Sequence, residues 1–217
     1  MCFSPEADVV AGVVIGALAV DALRSRPVRR DVPLALIPAV LAVHSLIEAF
    51  VWWGGRGQVP DGWGTAATYA YVLIAYAVVP VLLPAAVLAR ETDPARRRAL
   101  VAALAVGLAV AAVMVHAVVN GPLNATLEHH FIRYGAGVPA ATLVVGAYVV
   151  VTCGSGLLSS SRTIVWFAVA NIVVVALLAW LMLSALTSLW CGWAAISSLA
   201  IVLMLRRSAR ERARVDA

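Results

Sequence analysis

The sequence contains no lysine and few charged residues of any kind. Only 12% of its 217 residues are charged, whereas soluble domains carry about 25%. All 16 basic residues are therefore arginines. Without a lysine no Schiff base to retinal can form, which excludes a retinal photoreceptor. The arginines separate long apolar runs instead of covering one polar face, which argues against nucleic acid as a partner.

Motifs that bind metals or diphosphates are also lacking. The three cysteines, Cys2, Cys153 and Cys191, have no C-x-x-C spacing, and we interpret Cys153 and Cys191 as packing residues. The absence of an acid-rich D-D-x-x-D motif disfavours enzymes that ionise a diphosphate. We therefore expect neither a metal nor another cofactor.

The apolar residues, which make up 63% of the chain, are concentrated in seven runs. A helix needs about 20 apolar residues to cross the hydrocarbon core of a bilayer, and helices satisfy their own backbone hydrogen bonds there. The sequence therefore predicts an all-α integral membrane bundle of seven transmembrane helices over residues 1–205, followed by a basic tail at 206–217. The predicted spans are Ala7–Leu23, Pro33–Trp53, Thr65–Ala89, Ala99–Val119, Ala136–Leu158, Thr163–Leu183 and Thr187–Leu205.

The distribution of arginines predicts how the bundle is oriented. If the runs span the membrane, 14 arginines lie on one side and only Arg56 and Arg133 on the other. Basic residues accumulate on the cytoplasmic side of membrane proteins. We therefore predict a multi-pass protein of the cell membrane with its N-terminus outside and its C-terminus inside. The tail is interpreted as a topology signal, with binding to anionic lipid headgroups as an alternative.

One carboxylate, Glu48, lies well inside a predicted span. His44 precedes it by four residues and Trp52 follows it by four, so the three side chains form a stripe on one helical face. Charged groups inside a membrane are costly and are functional candidates by default. We expect this stripe to face the interior of the bundle.

Other polar and aromatic residues are predicted to reach the same depth. They are concentrated in the outer half of the bundle, whereas the inner half is almost entirely Ala, Val and Leu, apart from Asn171. Tyr69 and Tyr76 are seven residues apart and are therefore expected to share a face. The candidate site combines Glu48, His44 and His116 as catalytic groups with Trp52, Tyr69, Tyr76, Trp190 and Trp193 as substrate-binding residues.

Purely structural interpretations of these residues stay open. Trp and Tyr accumulate at membrane interfaces without any binding role. Glu48 and His44 alone would stabilise helix packing through a hydrogen bond. A structural role is equally open for His116, and His129 and His130 fit a solvated loop at least as well as a metal site.

Three functions are compatible with this constellation. A protonated Glu in an apolar pocket donates protons, and aromatic faces stabilise cations, which together suit proton-initiated cyclisation of an olefin. A proton-coupled transporter or a small-molecule-binding protein would use Glu48 as its titrating group. A metal-dependent hydrolase would need about three ligands, for which His44, Glu48 and His116 are candidates.

Four stretches resemble a family of small seven-span bacterial membrane proteins. They are Met1-Cys2-Phe3-Ser4, His44-x-x-x-Glu48-x-x-Val51-Trp52, Tyr76-x-x-x-Pro80-x-x-x-Pro84 and Leu189-Trp190-Cys191. The resemblance covers most of the chain and by itself implies no activity.

A looser resemblance connects the chain with integral-membrane terpene cyclases, which act in fungal meroterpenoid and bacterial drimentine-type pathways. It rests on size, seven spans and the lone acid late in the second span, Glu48. The resemblance implies metal-independent cyclisation of a lipophilic, prenylated (farnesylated) small molecule, with Glu48 as proton donor. The partners expected are this substrate and the lipid bilayer, and the oligomeric state stays open.

Overall fold

The structure, a computed structural model, describes residues 4–25, 27–128, 131–182 and 186–215. Within these ranges the chain is mostly helical, with seven helices and one β-hairpin. The helices are α1 (Pro5–Arg24), α2 (Val32–Gly55), α3 (Asp61–Arg90), α4 (Pro94–Asn120), α5 (Ala141–Gly154), α6 (Arg162–Met182) and α7 (Leu186–Val215). The hairpin strands are β1 (Leu123–Leu127) and β2 (Ile132–Ala136), and short 3-10 turns cover Arg29–Asp31 and Ser155–Leu158.

Four of the helical segments are long and apolar enough to cross a membrane by length and composition. They are Arg29–Gly55, Asp61–Arg90, Pro94–Asn120 and Ala141–Leu158, and the shorter Arg162–Leu178 is also apolar. Their positions agree with the predicted spans to within a few residues. The largest differences are five residues: α4 begins at Pro94 and not at Ala99, and α5 begins at Ala141 and not at Ala136, because Ala136 closes strand β2. Helix α7 continues beyond Leu205 without a break, so the described part of the basic tail is helical.

Two helix starts show how the sequence encodes these boundaries. Ser4 accepts a hydrogen bond from the Ala7 backbone N–H at 3.3 Å, and Pro5 occupies the first turn of α1. Asp93 accepts from the Arg96 N–H at 2.8 Å, and Pro94 begins α4. A short polar cap followed by proline satisfies the free N–H groups of a helix start and fixes a helical φ.

Small residues let α1 and α2 pack closely. A Cβ added to Gly12 would come within 2.6 Å of the Leu46 side chain, and one on Gly16 would touch Ala42. Small residues at such crossings allow membrane helices to approach. The two helices therefore run antiparallel, with Gly12 level with Ala42–Leu46.

A π-helical turn at Ile74–Val78 interrupts α3 just before Pro80. Proline lacks an N–H, so it leaves a backbone carbonyl of the preceding turn without its helical partner. Within the π turn, the Ala75 carbonyl accepts a hydrogen bond from the Tyr148 hydroxyl at 3.1 Å. The π turn also adds a residue and rotates the phase of the helix, so that Tyr71, Pro80 and Pro84 are buried.

This change of phase corrects one prediction. The seven-residue spacing of Tyr69 and Tyr76 predicts a shared face only if the helix stays α-helical between them. Tyr69 is instead 38% exposed, whereas Tyr76 packs against the core. The buried tyrosine in the N-terminal half of α3 is Tyr71, which is only 1% exposed.

The hairpin corrects the prediction of a purely α-helical protein. Strands β1 and β2 pair antiparallel, with Ala125 opposite Tyr134 and Leu127 opposite Ile132. Along both strands the less exposed residues alternate with exposed ones, the pattern expected for a ribbon with one packed face. That face covers the ends of α2, α3 and α4 and completes a core containing Val51, Val118 and Ile132. We call this end of the bundle the hairpin end.

The opposite end of the bundle, which we call the arginine-rich end, is held together by polar contacts between its loops. Asp31, only 1% exposed, binds Arg90 at the end of α3 and Arg212 in α7, the latter at 3.1 Å. Asp21 in α1 pairs with Arg206 at 2.5 Å. These bonds place the α1–α2 and α3–α4 connections and the C-terminal helix at one end.

Glu91 fastens the α3–α4 connection to the α5–α6 connection. Its carboxylate accepts hydrogen bonds from the Ser160 N–H at 2.6 Å, the Ser160 hydroxyl at 2.8 Å and the backbone N–H groups of Thr92 and Asp93. Burial of this carboxyl group raises its pKa, but the hydrogen bonds outweigh that effect and lower the pKa to about 2. Glu91 is therefore an ionised structural link outside the apolar spans.

Candidate functional site

The predicted stripe on α2 faces the interior near the hairpin end. Glu48 is 0% exposed, and His44 and Trp52 are also buried. The neighbouring Ala49 and Ser45 are buried too. The four-residue spacing therefore brings an acid, an imidazole and an indole into one packed region, as the helical period predicts.

Three aromatic rings form a stack beside this stripe. The His44 ring lies on the Tyr71 ring with centroids 3.8 Å apart and planes 18° from parallel. On the other side, Tyr71 stacks on Tyr134 from the hairpin at 4.5 Å and 19°. The hairpin thus supplies a residue that sequence reasoning missed. Its only sequence signal was the apolar alternation over five residues in β2.

Two buried ring nitrogens in this region have unused hydrogen-bonding capacity. His44 Nε2 and Trp52 Nε1 make no hydrogen bond with any of the described residues. Buried polar atoms are normally satisfied. His44 Nε2 is therefore available to a proton or a small polar species that enters the cluster, and the Trp52 Nε1–H is available to a hydrogen-bond acceptor.

Asp8 on α1 is a second carboxylate buried near the hairpin end, and sequence reasoning placed it at a span end. It is 0% exposed. Because Gly12 lies against Ala42 and Leu46 and the helices are antiparallel, Asp8 lies about one turn nearer the hairpin end, level with the Glu48 region. The signal that marks it is an acid between apolar residues one turn after a helix start.

Several predicted site residues lie elsewhere. His116 is exposed on α4, and its Nδ1 lies 3.2 Å from the Asn120 amide nitrogen, so it does not join Glu48. Trp193 lies in α7 and bonds to Asn171 instead. The backbone of Trp190 belongs to α7, but its side chain lies outside the described residues, as do His129 and His130.

The position of His116 separates it from His44 and Glu48, the other two ligands considered for a metal-dependent hydrolase. No group of three or more His, Cys, Asp or Glu side chains suited to a metal is present among the described residues. A zinc site needs three or four such ligands to converge. His44, Glu48 and His116 do not converge, because His116 lies on the outward face of α4.

A cavity of about 100 Å³ opens in the other half of the bundle, between α2, α3, α6, α7 and the end of α5. Its wall includes Leu41 on α2, one turn from His44, and Ile201 on α7. Most of the surface is aliphatic. The polar or aromatic hydrogen-bonding groups on the wall are Thr152, Cys153, Ser155, Asn171, Trp193 and Ser197.

Asn171 and Trp193 form the polar centre of this cavity. The Trp193 indole Nε1 donates a hydrogen bond to Asn171 Oδ1 at 2.7 Å. The Asn171 side chain also lies within hydrogen-bonding reach of the Cys153 thiol. Sequence reasoning noted Asn171 as the polar exception in an apolar half, but did not connect it with Trp193.

Comparison with known families gives a match along the whole chain. Residues 1–217 match a family of unknown function, DUF6629. The chain belongs to this family. No curated protein and no solved structure is significantly similar to it. Family membership thus names no activity, and the function has to be inferred from the buried cluster on α2 and the cavity beside it.

Proposed function

We propose that the protein crosses the cell membrane seven times, with its N-terminus and hairpin outside and its C-terminus in the cytoplasm. Four long apolar helices and a fifth shorter one support a membrane location. The separation of 14 arginines from Arg56 and Arg133 supports the orientation. The contacts of Asp31 and Asp21 with Arg90, Arg212 and Arg206 gather the basic loops at one end, as a cytoplasmic face requires.

The function that the geometry supports best is binding of a small molecule in the cavity near Asn171. The cavity carries this proposal. Ligand sites are concave and mostly apolar, with a few convergent polar groups that orient the ligand. The cavity has this composition, and it lies between several helices of the bundle, a common place for such sites.

Binding is coupled to protonation of Glu48 in this proposal. Leu41 on the cavity wall and His44 in the buried cluster are neighbours on the same face of α2. A ligand that shifts α2 therefore also changes the surroundings of Glu48. In proton-coupled transporters, intramembrane acids of this kind serve as the titrating groups.

Calorimetric titration of the purified protein tests the binding site. Three small-ring probes, cyclohexanone, cyclohexanecarboxylate and cyclohexylammonium, are titrated into wild type, Ser197→Phe and Ile196→Phe. Ser197 lines the cavity, whereas the adjacent Ile196 is exposed on the outside of α7. We expect at least one probe to bind wild type and Ile196→Phe but not Ser197→Phe. Equal heats in all three proteins would contradict the proposal.

Proton coupling is measured in the same titration with two buffers that differ in their heat of ionisation. A difference in the apparent binding heat reports protons taken up or released on binding. We expect this difference in wild type and its loss in Glu48→Gln, with binding itself retained. A buffer effect that persists in Glu48→Gln would remove Glu48 as the coupled group.

Terpene cyclisation is the second candidate, supported by the aromatic residues packed around a buried acid. His44 and Trp52 are buried one turn before and one turn after Glu48 on the same face of α2, and Tyr71 stacks on His44. Aromatic faces near an acid suit carbocation chemistry. Against it, Glu48 does not line the cavity. Membranes containing wild type or Glu48→Gln are given farnesylated indoles with EDTA. An isomer of unchanged mass, formed by wild type alone, would establish cyclisation and displace the binding proposal.

A further inference from the structure

The chemistry of the cavity wall restricts the charge of its ligand. Among the residues that the structure describes, 22 line the cavity, and none of them is Asp, Glu, Arg or His. The hydrogen-bonding groups are hydroxyls, a thiol, an amide and an indole. Transfer of an ionised group into such surroundings is strongly unfavourable unless an opposite charge is present. An ammonium or carboxylate ligand would therefore have no counterion at this site.

The contact between Trp193 and Asn171 fixes the direction of the Asn171 amide. An indole N–H only donates, so the Asn171 atom that receives it at 2.7 Å is the oxygen. The amide nitrogen therefore points its two N–H groups elsewhere along the wall, towards Cys153. The cavity thus offers an amide donor next to an aromatic wall formed by Trp193 and Phe167.

The size of the cavity restricts the ligand further. A cavity of about 150 Å³ with apolar walls holds one benzene molecule. The present cavity, at about 100 Å³, is of the same order. Sites for drug-sized ligands begin at about 300 Å³. The enclosed part of the ligand is therefore no larger than one small ring, which a complete farnesylated indole exceeds.

We propose that the cavity binds an uncharged molecule whose buried part is a single small ring with a hydrogen-bond acceptor directed at the Asn171 amide nitrogen. This inference rests on the binding function proposed above and specifies its ligand class. Ser155 and Ser197 add neutral hydroxyls to the same wall, consistent with recognition of a carbonyl, ether or hydroxyl oxygen.

Cys153 provides a reporter inside the cavity, and the experiment uses the full chain with Cys2→Ser and Cys191→Ser. The purified protein is treated with a neutral, an anionic and a cationic methanethiosulfonate. In each reaction the thiolate attacks the sulfenyl sulfur, forms a mixed disulfide and releases methanesulfinate. A variant that also carries Cys153→Ser and Ala95→Cys is the control, because Ala95 is exposed at the arginine-rich end.

The rates distinguish the two proposals. We expect the neutral reagent to modify Cys153 at least about tenfold faster than either charged reagent, because each charge would have to be desolvated, and all three to modify the control. Equal rates for charged and neutral reagents at Cys153 would overturn the neutral ligand class but leave a ligand cavity in place. If none of the three reagents modifies Cys153 while all three modify the thiol introduced by Ala95→Cys in the control variant, the binding function itself would be overturned.

Protection of Cys153 from the neutral reagent tests the acceptor. We expect cyclohexanone to protect, and methylcyclohexane, cyclohexanecarboxylate and cyclohexylammonium to protect less. Asn171→Leu should weaken protection by cyclohexanone about fivefold, the effect of one neutral hydrogen bond, and leave methylcyclohexane unchanged. Equal protection by cyclohexanone in wild type and Asn171→Leu would overturn the role of the amide.

Discussion

The buried acids and the cavity occupy different parts of the bundle. Near the hairpin end, Glu48, Asp8 and His44 are buried, and the rings of His44, Tyr71 and Tyr134 stack with centroids 3.8 and 4.5 Å apart. Further along α2, the cavity near Asn171 has room, and the described residues of its wall include no ionisable acid or base apart from the Cys153 thiol. Under the proposed binding function, the ligand therefore lies in a different part of the bundle from the buried acid Glu48.

The arginine-rich end differs from the hairpin end in how its charges are paired. Asp31 is buried and binds two arginines, whereas the Glu128–Arg133 pair on the hairpin is 38% and 62% exposed. Buried pairs are costly to break on one side, and exposed pairs contribute little. The comparison predicts that the fold depends on its arginine-rich end far more than on its exposed hairpin charges.

The largest effect is expected for Asp31→Ala. Removal of this carboxylate leaves Arg90 and Arg212 without their shared partner and should lower the free energy of unfolding by about 3 kcal/mol. Thermal unfolding of the detergent-solubilised protein measures the loss. Glu128→Ala is the matched control and should cost less than about 1 kcal/mol. Similar losses for both would contradict the difference between the ends.

Acid pH should weaken the same end through Glu91. Its folded-state pKa of about 2 lies below the ordinary 4.5, so the ionised form stabilises the fold. This stabilisation is complete above pH 4.5 and disappears as the pH falls through about 2. Glu91→Gln should cost about 2 kcal/mol at neutral pH, in the range for hydrogen bonds to a charged group. The difference between the two proteins should shrink below pH 4.5, and a constant difference would exclude this role.

A smaller loss is expected for Gly107→Ala, in the middle of the bundle between the two regions. A Cβ at this position would collide with the Pro80 carbonyl beside the π turn, whereas one at Gly146 would meet open space. Overpacking of this kind costs about 1–3 kcal/mol. Gly146→Ala should be neutral or slightly stabilising. Equal unfolding temperatures for the two variants would show that α3 and α4 are not packed as described.

The smallest effect is expected for Tyr134→Leu at the hairpin end. The substitution removes the stack on Tyr71 but keeps an apolar side chain, and should cost about 1 kcal/mol. The buffer-dependent difference in binding heat, which reports the proposed proton coupling of Glu48, should also change, because the Tyr134 ring covers the buried cluster. A change in stability alone would limit the hairpin to a structural role.

Sequence reasoning predicted the helices and the buried stripe because both follow from long apolar runs with a helical period. The hairpin was missed because five-residue strands give few repeats of a two-residue period. The exposure of Tyr69 was missed because the π turn shifts the phase of α3. The cavity could not be predicted, because its wall consists of residues such as Leu41, Ala168 and Ser197 that carry no chemical signature until the helices are packed.

The central claim is that the ligand binds in the cavity near Asn171 and not beside Glu48. Its most direct test is photolabelling with an uncharged phenyl diazirine, with and without excess cyclohexanone, followed by peptide mapping. Labels that cyclohexanone suppresses identify the ligand site. We expect these labels on Phe167, Asn171 and Ser197, with Glu48 and Trp52 unaffected. Suppressible labels on Glu48, Trp52 or Tyr71 would contradict this account and place the ligand at the buried acid.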